Sequence, residues 1–145
     1  MKKITPFLWY DGKAQEAAEF YTSIFKNSKI VSSNPMSATF QIDGCEFIAF
    51  NGGPHFKFNE SISLFIDCNT QEEVDELWNK LSKGGSESRC GWLKDKYGLS
   101  WQVVPSILGK LLGDKDPVKA KRVMDTMLKM SKINIKALQD AYEGK

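Results

Sequence analysis

The sequence predicts an α+β fold built on an internal duplication and followed by a helical extension. Three observations predict it. Two amphipathic stretches, each behind a β-prone run, match at a constant offset: Ala17, Phe20, Tyr21 and Ile24 correspond to Val74, Leu77, Trp78 and Leu81. A turn pair ahead of a strand also recurs, Asp43-Gly44 in one half and Tyr97-Gly98 in the other. Residues 106–145 fall outside the repeat and read as helices.

The elements follow in order. Residues 4–10 (ITPFLWY) are an apolar, aromatic run closed by Asp11-Gly12 and read as a strand. Residues 13–26 place Ala14, Ala17, Ala18, Tyr21, Ile24 and Phe25 at helical spacing, with Asp11 positioned as a cap. Ser37 to Ile42 and Cys45 to Phe50 flank Asp43-Gly44, a pair suited to a tight hairpin turn with positive φ. Ser61 to Asp67 is the next strand. Thr70 caps a helix over 71–83 whose stripe is Val74, Leu77, Trp78 and Leu81, with Glu73 in the capping-box position and Gly84-Gly85 as the stop. Glu87 to Lys96 and Leu99 to Val104 read as strands around Tyr97-Gly98, closed by Pro105. Ser106 to Leu112 is a short helix. Asp116-Pro117 starts a helix over 117–130 with Ala120, Val123, Met124, Met127 and Leu128 on one side. Asn134 caps the last helix, which carries Ile135, Leu138, Ala141 and Tyr142.

Composition narrows the function classes. A chain of 145 residues, 41% hydrophobic and 26% charged, suits one domain whose core needs no staple. Its longest apolar runs, such as residues 47–50, are too short to cross a bilayer, so no membrane partner is expected. Met1-Lys2-Lys3-Ile4 has two lysines and no apolar stretch behind them, so no secretory signal is expected. Cys45, Cys68 and Cys90 cannot all pair and lack C-x-x-C spacing; free thiols in the cytoplasm are the simplest account. A net charge of +2 is too mild to argue for nucleic acid. The lysines of the tail interleave with Asp114, Asp116, Asp125, Asp140 and Glu143, the pattern of a solvated helix face.

Five segments carry a family resemblance: PFLWYDGKAQEAAEFYTSIF (6–25), FIAFNGGPHFKFNESIS (47–63), EEVDELWNKLSKGG (72–85), CGWLKDKYGLSWQVVPSILGKLL (90–112) and DPVKAKRVMDTMLKM (116–130). They resemble the PhnB-like family, often labelled 3-demethylubiquinone-9 3-methyltransferase, of the vicinal-oxygen-chelate (glyoxalase/bleomycin resistance/dioxygenase) superfamily. The motifs GGPHFKFNE and CGWLKDKYGLSWQ are long and specific. The resemblance implies two β-α-β-β-β units whose curved sheets enclose a cavity, residues 1–60 and 61–105, with 106–145 as the extension of a single domain. It also implies a homodimer. Lys29 to Met36 is shorter than the resemblance leads one to expect, which bears on one wall of the cavity.

Metalloenzymes of this superfamily take ligands from the first and last strands of the two units. The resemblance maps those positions to Thr5, Glu46–Ala49, Ser61 and Gln102. Thr5 and Ser61 offer neutral hydroxyls and Gln102 a carboxamide, where a divalent transition metal wants imidazole, carboxylate or thiolate; only Glu46 could supply charge, and one carboxylate does not make a site. No metal and no cofactor are therefore expected. The methyltransferase label calls for a glycine-rich turn after a first strand, and no G-x-G follows a strand here.

The remaining candidates for chemistry are few. His55 is the only histidine; it reads either as a base or donor at the cavity mouth or as a loop residue satisfying a tight turn. Glu46 is a second weak candidate for a base. Cys90 reads as a buried inert thiol, with a reactive thiolate as the alternative. Period-two alternation turns Thr5, Phe7 and Trp9 one way, and likewise Ser61, Ser63 and Phe65, and Ser100, Gln102 and Val104. The expected ligand-binding set is Thr5, Phe7, Trp9, His55, Phe56, Ser61, Ser63, Phe65, Cys90 and Gln102. Either these residues line a pocket for a small, flat or amphipathic molecule, or the aromatics fill the space themselves. The leading expectation is a small-molecule binding protein. A metal-independent lyase, isomerase or transferase and a dimeric interaction module are the alternatives.

Overall fold

The computed structural model describes residues 3–145; Met1 and Lys2, on which the reading of the leader partly rests, lie outside the described residues. Among the described residues, two four-stranded mixed sheets and five helices make an α+β fold with no closed barrel. The chain divides into a unit ending at Phe58 and a unit running from Asn59 to Lys145.

The first unit contains β1 (Phe7–Tyr10), α1 (Ala14–Ile24), β2 (Ser28–Ser33), β3 (Ser37–Ile42) and β4 (Cys45–Asn51), in sheet order β1-β4-β3-β2. The β1–β4 pair is parallel and the others antiparallel. Alternate residues, Leu8, Tyr10, Ala38, Phe40, Ile42, Phe47 and Ala49, are buried. Helix α1 meets them with Ala14, Ala17, Ala18, Tyr21 and Ile24, and its alanines admit a close approach. Each fully buried aliphatic or aromatic side chain here stabilises the unit by about 1.5–3 kcal/mol. Tyr10 and Tyr21 join hydroxyls at 3.0 Å within this core.

Two expectations are corrected in this unit. The first strand begins at Phe7 instead of residue 4, because Pro6 has no N–H for the ladder; its carbonyl still accepts from Ile48 N at 3.0 Å. Asp11 is not the cap of α1. The helix starts after Lys13, which makes no side-chain cap, and Asn51 Oδ1 accepts from Ala14 N at 2.8 Å instead. Residues 29–36 hold a strand and a tight turn: β2 pairs with β3 through an irregularity between Ile30 and Ser32. In the turn after it, Asn34 Oδ1 accepts from Met36 N and Ser37 N. The hairpin holds as expected: Asp43 and Gly44 have φ of 49° and 80°, and Ile42 pairs Cys45.

The second unit repeats the order with β5 (Leu64–Cys68), α2 (Gln71–Ser82), β6 (Ser86–Glu87), β7 (Trp92–Lys94) and β8 (Ser100–Pro105), arranged β5-β8-β7-β6. Thr70 Oγ1 accepts from Glu73 N at 3.2 Å, and Glu73 Oε2 accepts from Asn69 N at 2.8 Å, so the capping box forms with its return bond one residue earlier. Val74, Leu77, Trp78 and Leu81 are all buried, as their spacing predicts.

Residues 87–96 are not one strand. Cys90 and Gly91 turn to positive φ, 59° and 84°, and split the run into β6 and β7. Their amides donate to Met130 O at 2.9 Å and Ser131 O at 2.8 Å, partners that the C-terminal segment supplies. That segment forms α3 (Ser106–Leu112), α4 (Pro117–Met127) and α5 (Ile135–Glu143). Asp116 and Asn134 cap α4 and α5 as expected. Val104, Leu108, Val123, Ile133 and Leu138 form their shared core. Helix α4 stops at Met127, short of residue 130, and leaves Met124 and Leu128 exposed. No helix among the described residues is long and apolar enough to cross a membrane.

Candidate functional site

In the first unit, the face turned away from α1 carries an aromatic row. Register sets Phe7 beside Ile48 and Trp9 beside Phe50. Ring centroids lie 5.2 Å apart for Phe7–Phe50, 5.3 Å for Trp9–Phe50 and 5.0 Å for Trp9–Phe56. The loop after β4 clasps Trp9: Gly53 O accepts from the indole Nε1 at 2.9 Å. A Cβ on Gly52 would stand 2.1 Å from the indole, so only glycine fits there. His55 and Phe56 are exposed on this loop. Glu46, half-buried, pairs with Gln41 at the start of β4, at the opposite end of that strand from the loop. Thr5 is half-buried ahead of β1.

In the second unit, the face turned away from α2 carries Gln102 between Phe65 and Trp92 in register. Gln102 Nε2 donates to Ser63 Oγ at 3.0 Å. The structure thus brings Ser63, Phe65 and Gln102 together. Ser61 departs from the expectation. β5 begins at Leu64, and the amide and hydroxyl of Ser61 turn back onto Asn59 Oδ1. Val104 departs too, because the C-terminal helices cover it. Cys90 lies in the positive-φ turn instead of on a strand, and its Sγ–H donates to Met127 O at 3.7 Å.

Beside Gln102 the same face opens into a cleft of about 470 Å³, bounded by β6, the 88–90 turn, Trp92, Lys94, Ser100 and Glu60. Lys94 Nζ pairs with Glu60 at 2.6 Å, and this bond holds the Glu60 carboxyl below its usual range. Glu87 is turned to the α2 side, where its Oε1 accepts from Trp78 Nε1 at 2.8 Å. Arg89 is exposed and, among the described residues, has no carboxylate partner. Ser100 is 1% exposed, and its Oγ has no hydrogen-bond partner in the protein. A buried unsatisfied hydroxyl costs about 1–3 kcal/mol, so its presence in a cleft wall calls for an explanation.

The cleft is not legible in the sequence, although alternation sets Ser100 on one face with Gln102. The signal was the β7–β8 register, which sets Trp92 against Gln102 and Lys94 against Ser100. The turn that forms the rim interrupts residues 87–96 at Cys90 and Gly91, where their β-prone pattern gives no sign of it. Asp95 was also missed. It is 2% exposed and accepts from Tyr97 N at 2.9 Å, Leu99 N at 3.1 Å and Trp101 Nε1 at 2.9 Å, so it sets the β7–β8 turn.

The residues do not fit a resident transition metal. Thr5, Ser61 and Gln102 lack anionic or imidazole donors, and no group of three or more His, Cys, Asp or Glu suited to a metal occurs among the described residues. They do not fit the adenosylmethionine domain either, since each sheet has a single parallel pair and neither is doubly wound.

The profile of the 3-demethylubiquinone-9 3-methyltransferase family matches residues 2–104. A PhnB protein from Bacillus cereus is 38% identical, with a TM-score of 0.66 over 72% of this chain and 99% of its own. A protein from Pseudomonas aeruginosa, 20% identical, shares the fold at a TM-score of 0.60 over 72% of this chain and 98% of its own. So does a glyoxylase/bleomycin resistance protein/dioxygenase domain from Frankia, 14% identical, at 0.52 over 72% and 92%. A search of the curated proteins gave no match.

Proposed function

We propose, because this chain belongs to the 3-demethylubiquinone-9 3-methyltransferase (PhnB-like) family of the vicinal-oxygen-chelate superfamily, that it binds a small organic molecule in the cleft of its second sheet without a metal. One observation carries the reading: the buried Ser100 Oγ, with no partner of its own, lies in the wall of a half-open cleft large enough for a one-ring metabolite. Trp92 supplies an aromatic wall, and Gln102 and Ser63 continue the polar face beside it. The family's methyltransferase label does not suit this fold, because neither sheet is doubly wound.

The test is a melting-temperature screen against a panel of small metabolites, followed by titration of the hits. A ligand at a hundred times its Kd stabilises the folded state by about 2.7 kcal/mol, well within reach of such a screen. The expected result is a saturable shift that Ser100→Ala and Trp92→Leu both weaken. A shift that neither substitution alters, or no shift across the panel, overturns the proposal.

The homodimer implied by the family is kept as part of this proposal. The exposed Ile30 and Val31 on the edge strand β2 support it, since an unpaired edge with apolar residues favours pairing. Sedimentation at a monomer mass across micromolar concentrations would remove it. The three free thiols support a reducing compartment such as the cytoplasm.

A further inference from the structure

We infer that the cleft of the second unit selects small organic anions: Arg89 takes the anionic group, Ser100 Oγ bonds a second polar atom, and the body of the molecule lies on Trp92. This rests on the binding proposal above and adds the chemical class.

The charges around the cleft balance in number, and it is their pairing that leaves one cation over. Two cations and two carboxylates border it. One carboxylate, Glu87, is committed to the indole of Trp78 on the other side of the sheet. The other, Glu60, is 64% exposed at the side chain and paired to Lys94, which is 37% exposed. Arg89 is left without an acid among the described residues. Its planar fork matches a carboxylate or phosphate in two parallel hydrogen bonds. Because the Glu60–Lys94 pair is exposed, Glu60 can return to water and leave Lys94 to a ligand without stranding a buried charge.

Ser100 adds the second, independent observation. It stands opposite Lys94 in the β7–β8 register, and its buried hydroxyl is unpaired. A ligand that reaches both Arg89 and Ser100 has a polar atom at each end of an apolar body. The volume of about 470 Å³ exceeds what an inorganic anion fills and suits a one-ring compound. Glu60 at the rim disfavours a polyanion such as nucleic acid, which would press phosphates against it.

The test uses the whole chain and two isosteric probes with a hydroxyl at the far end of the ring, 4-hydroxybenzoate and 4-hydroxybenzamide (the benzoate and the benzamide), titrated by calorimetry with tryptophan fluorescence as the second readout. Benzoate is expected to bind about ten-fold more tightly than benzamide, the difference one charge-assisted contact makes. Arg89→Gln should bring benzoate down to the benzamide value and leave benzamide unchanged. Glu60→Gln should tighten benzoate by freeing Lys94. Both side chains are exposed, and an unchanged melting temperature verifies that the variants fold. Equal binding of the two probes, unmoved by Arg89→Gln but weakened by Ser100→Ala, overturns the anion assignment and leaves the cleft as a binding site. No saturable binding of either probe at millimolar concentration overturns the anion assignment as well, and the metabolite screen then decides the binding reading separately.

Discussion

Gly52 shows how much one position can decide. Its missing side chain is what lets the indole of Trp9 lie against the backbone while Gly53 O takes the indole N–H. Gly52→Ala would push a methyl into the ring, and overpacking of this kind costs about 1–3 kcal/mol. An unfolding free energy from urea titration lowered by that amount, with altered tryptophan emission, is the expected outcome. The cysteines differ just as sharply. Burial pushes the Cys68 thiol up to about 12, with Glu73 and Asp67 adding to the shift. Cys45 is exposed, and Cys90 is half-buried at the cleft rim. Alkylation of the folded protein should label Cys45 first, Cys90 next and Cys68 only on unfolding. The raised folded value also gives a sign: the unfolded chain releases the Cys68 proton from pH 9.0 upward while the folded chain holds it. Its contribution to stability is therefore complete below pH 9.0 and lost as pH climbs toward about 12. Unfolding midpoints of the wild type and Cys68→Ala should converge over that window.

The elements divide by where their partners lie. Helix α2 is capped from next door, by Thr70 and Glu73, and that motif is readable in the sequence. Helix α1 is capped by Asn51, thirty-seven positions along the chain, whose amide also donates to Gln15 Oε1 at 2.9 Å and Pro35 O at 3.2 Å. Removing such a cap costs about 1–2 kcal/mol. Asn51→Ala should lower stability by that amount and speed amide exchange in the first turn of α1. The β7–β8 turn depends on Asp95 in the same manner. Asp95→Ala would leave the Trp101 indole N–H and two backbone amides without their acceptor, at a cost of about 1–3 kcal/mol per buried group. Asp95→Asn keeps one acceptor oxygen and should recover part of the loss in a denaturant titration.

Across the whole molecule, two halves of different sequence reach one strand order, each a strand and a helix followed by three more strands with the outer pair parallel. The family match stops at Val104, yet α3–α5 are integral to the second unit. They bury Val104, and they hold the cleft rim through the bonds from Cys90 N and Gly91 N to Met130 O and Ser131 O. A chain ending at Pro105 should lose hydrogen-exchange protection at Cys90 and Gly91 and melt at lower temperature. Retained protection at both amides would show that the rim stands without the helices.

By itself the sequence determined the class, the duplication, the helix faces and the Asp43-Gly44 turn. Each of these is set by residues a few positions apart: burial at helical or alternate spacing, a cap beside its helix, a pair tolerant of positive φ. Only the tertiary structure decided the cap of α1, the break at Cys90, the acceptor role of Asp95 and the cleft at Ser100. Backbone amides and buried polar side chains need partners, and at these positions the partner or the wall comes from another element. Spacing along the chain records which residues prefer burial, but not which distant group will meet them there.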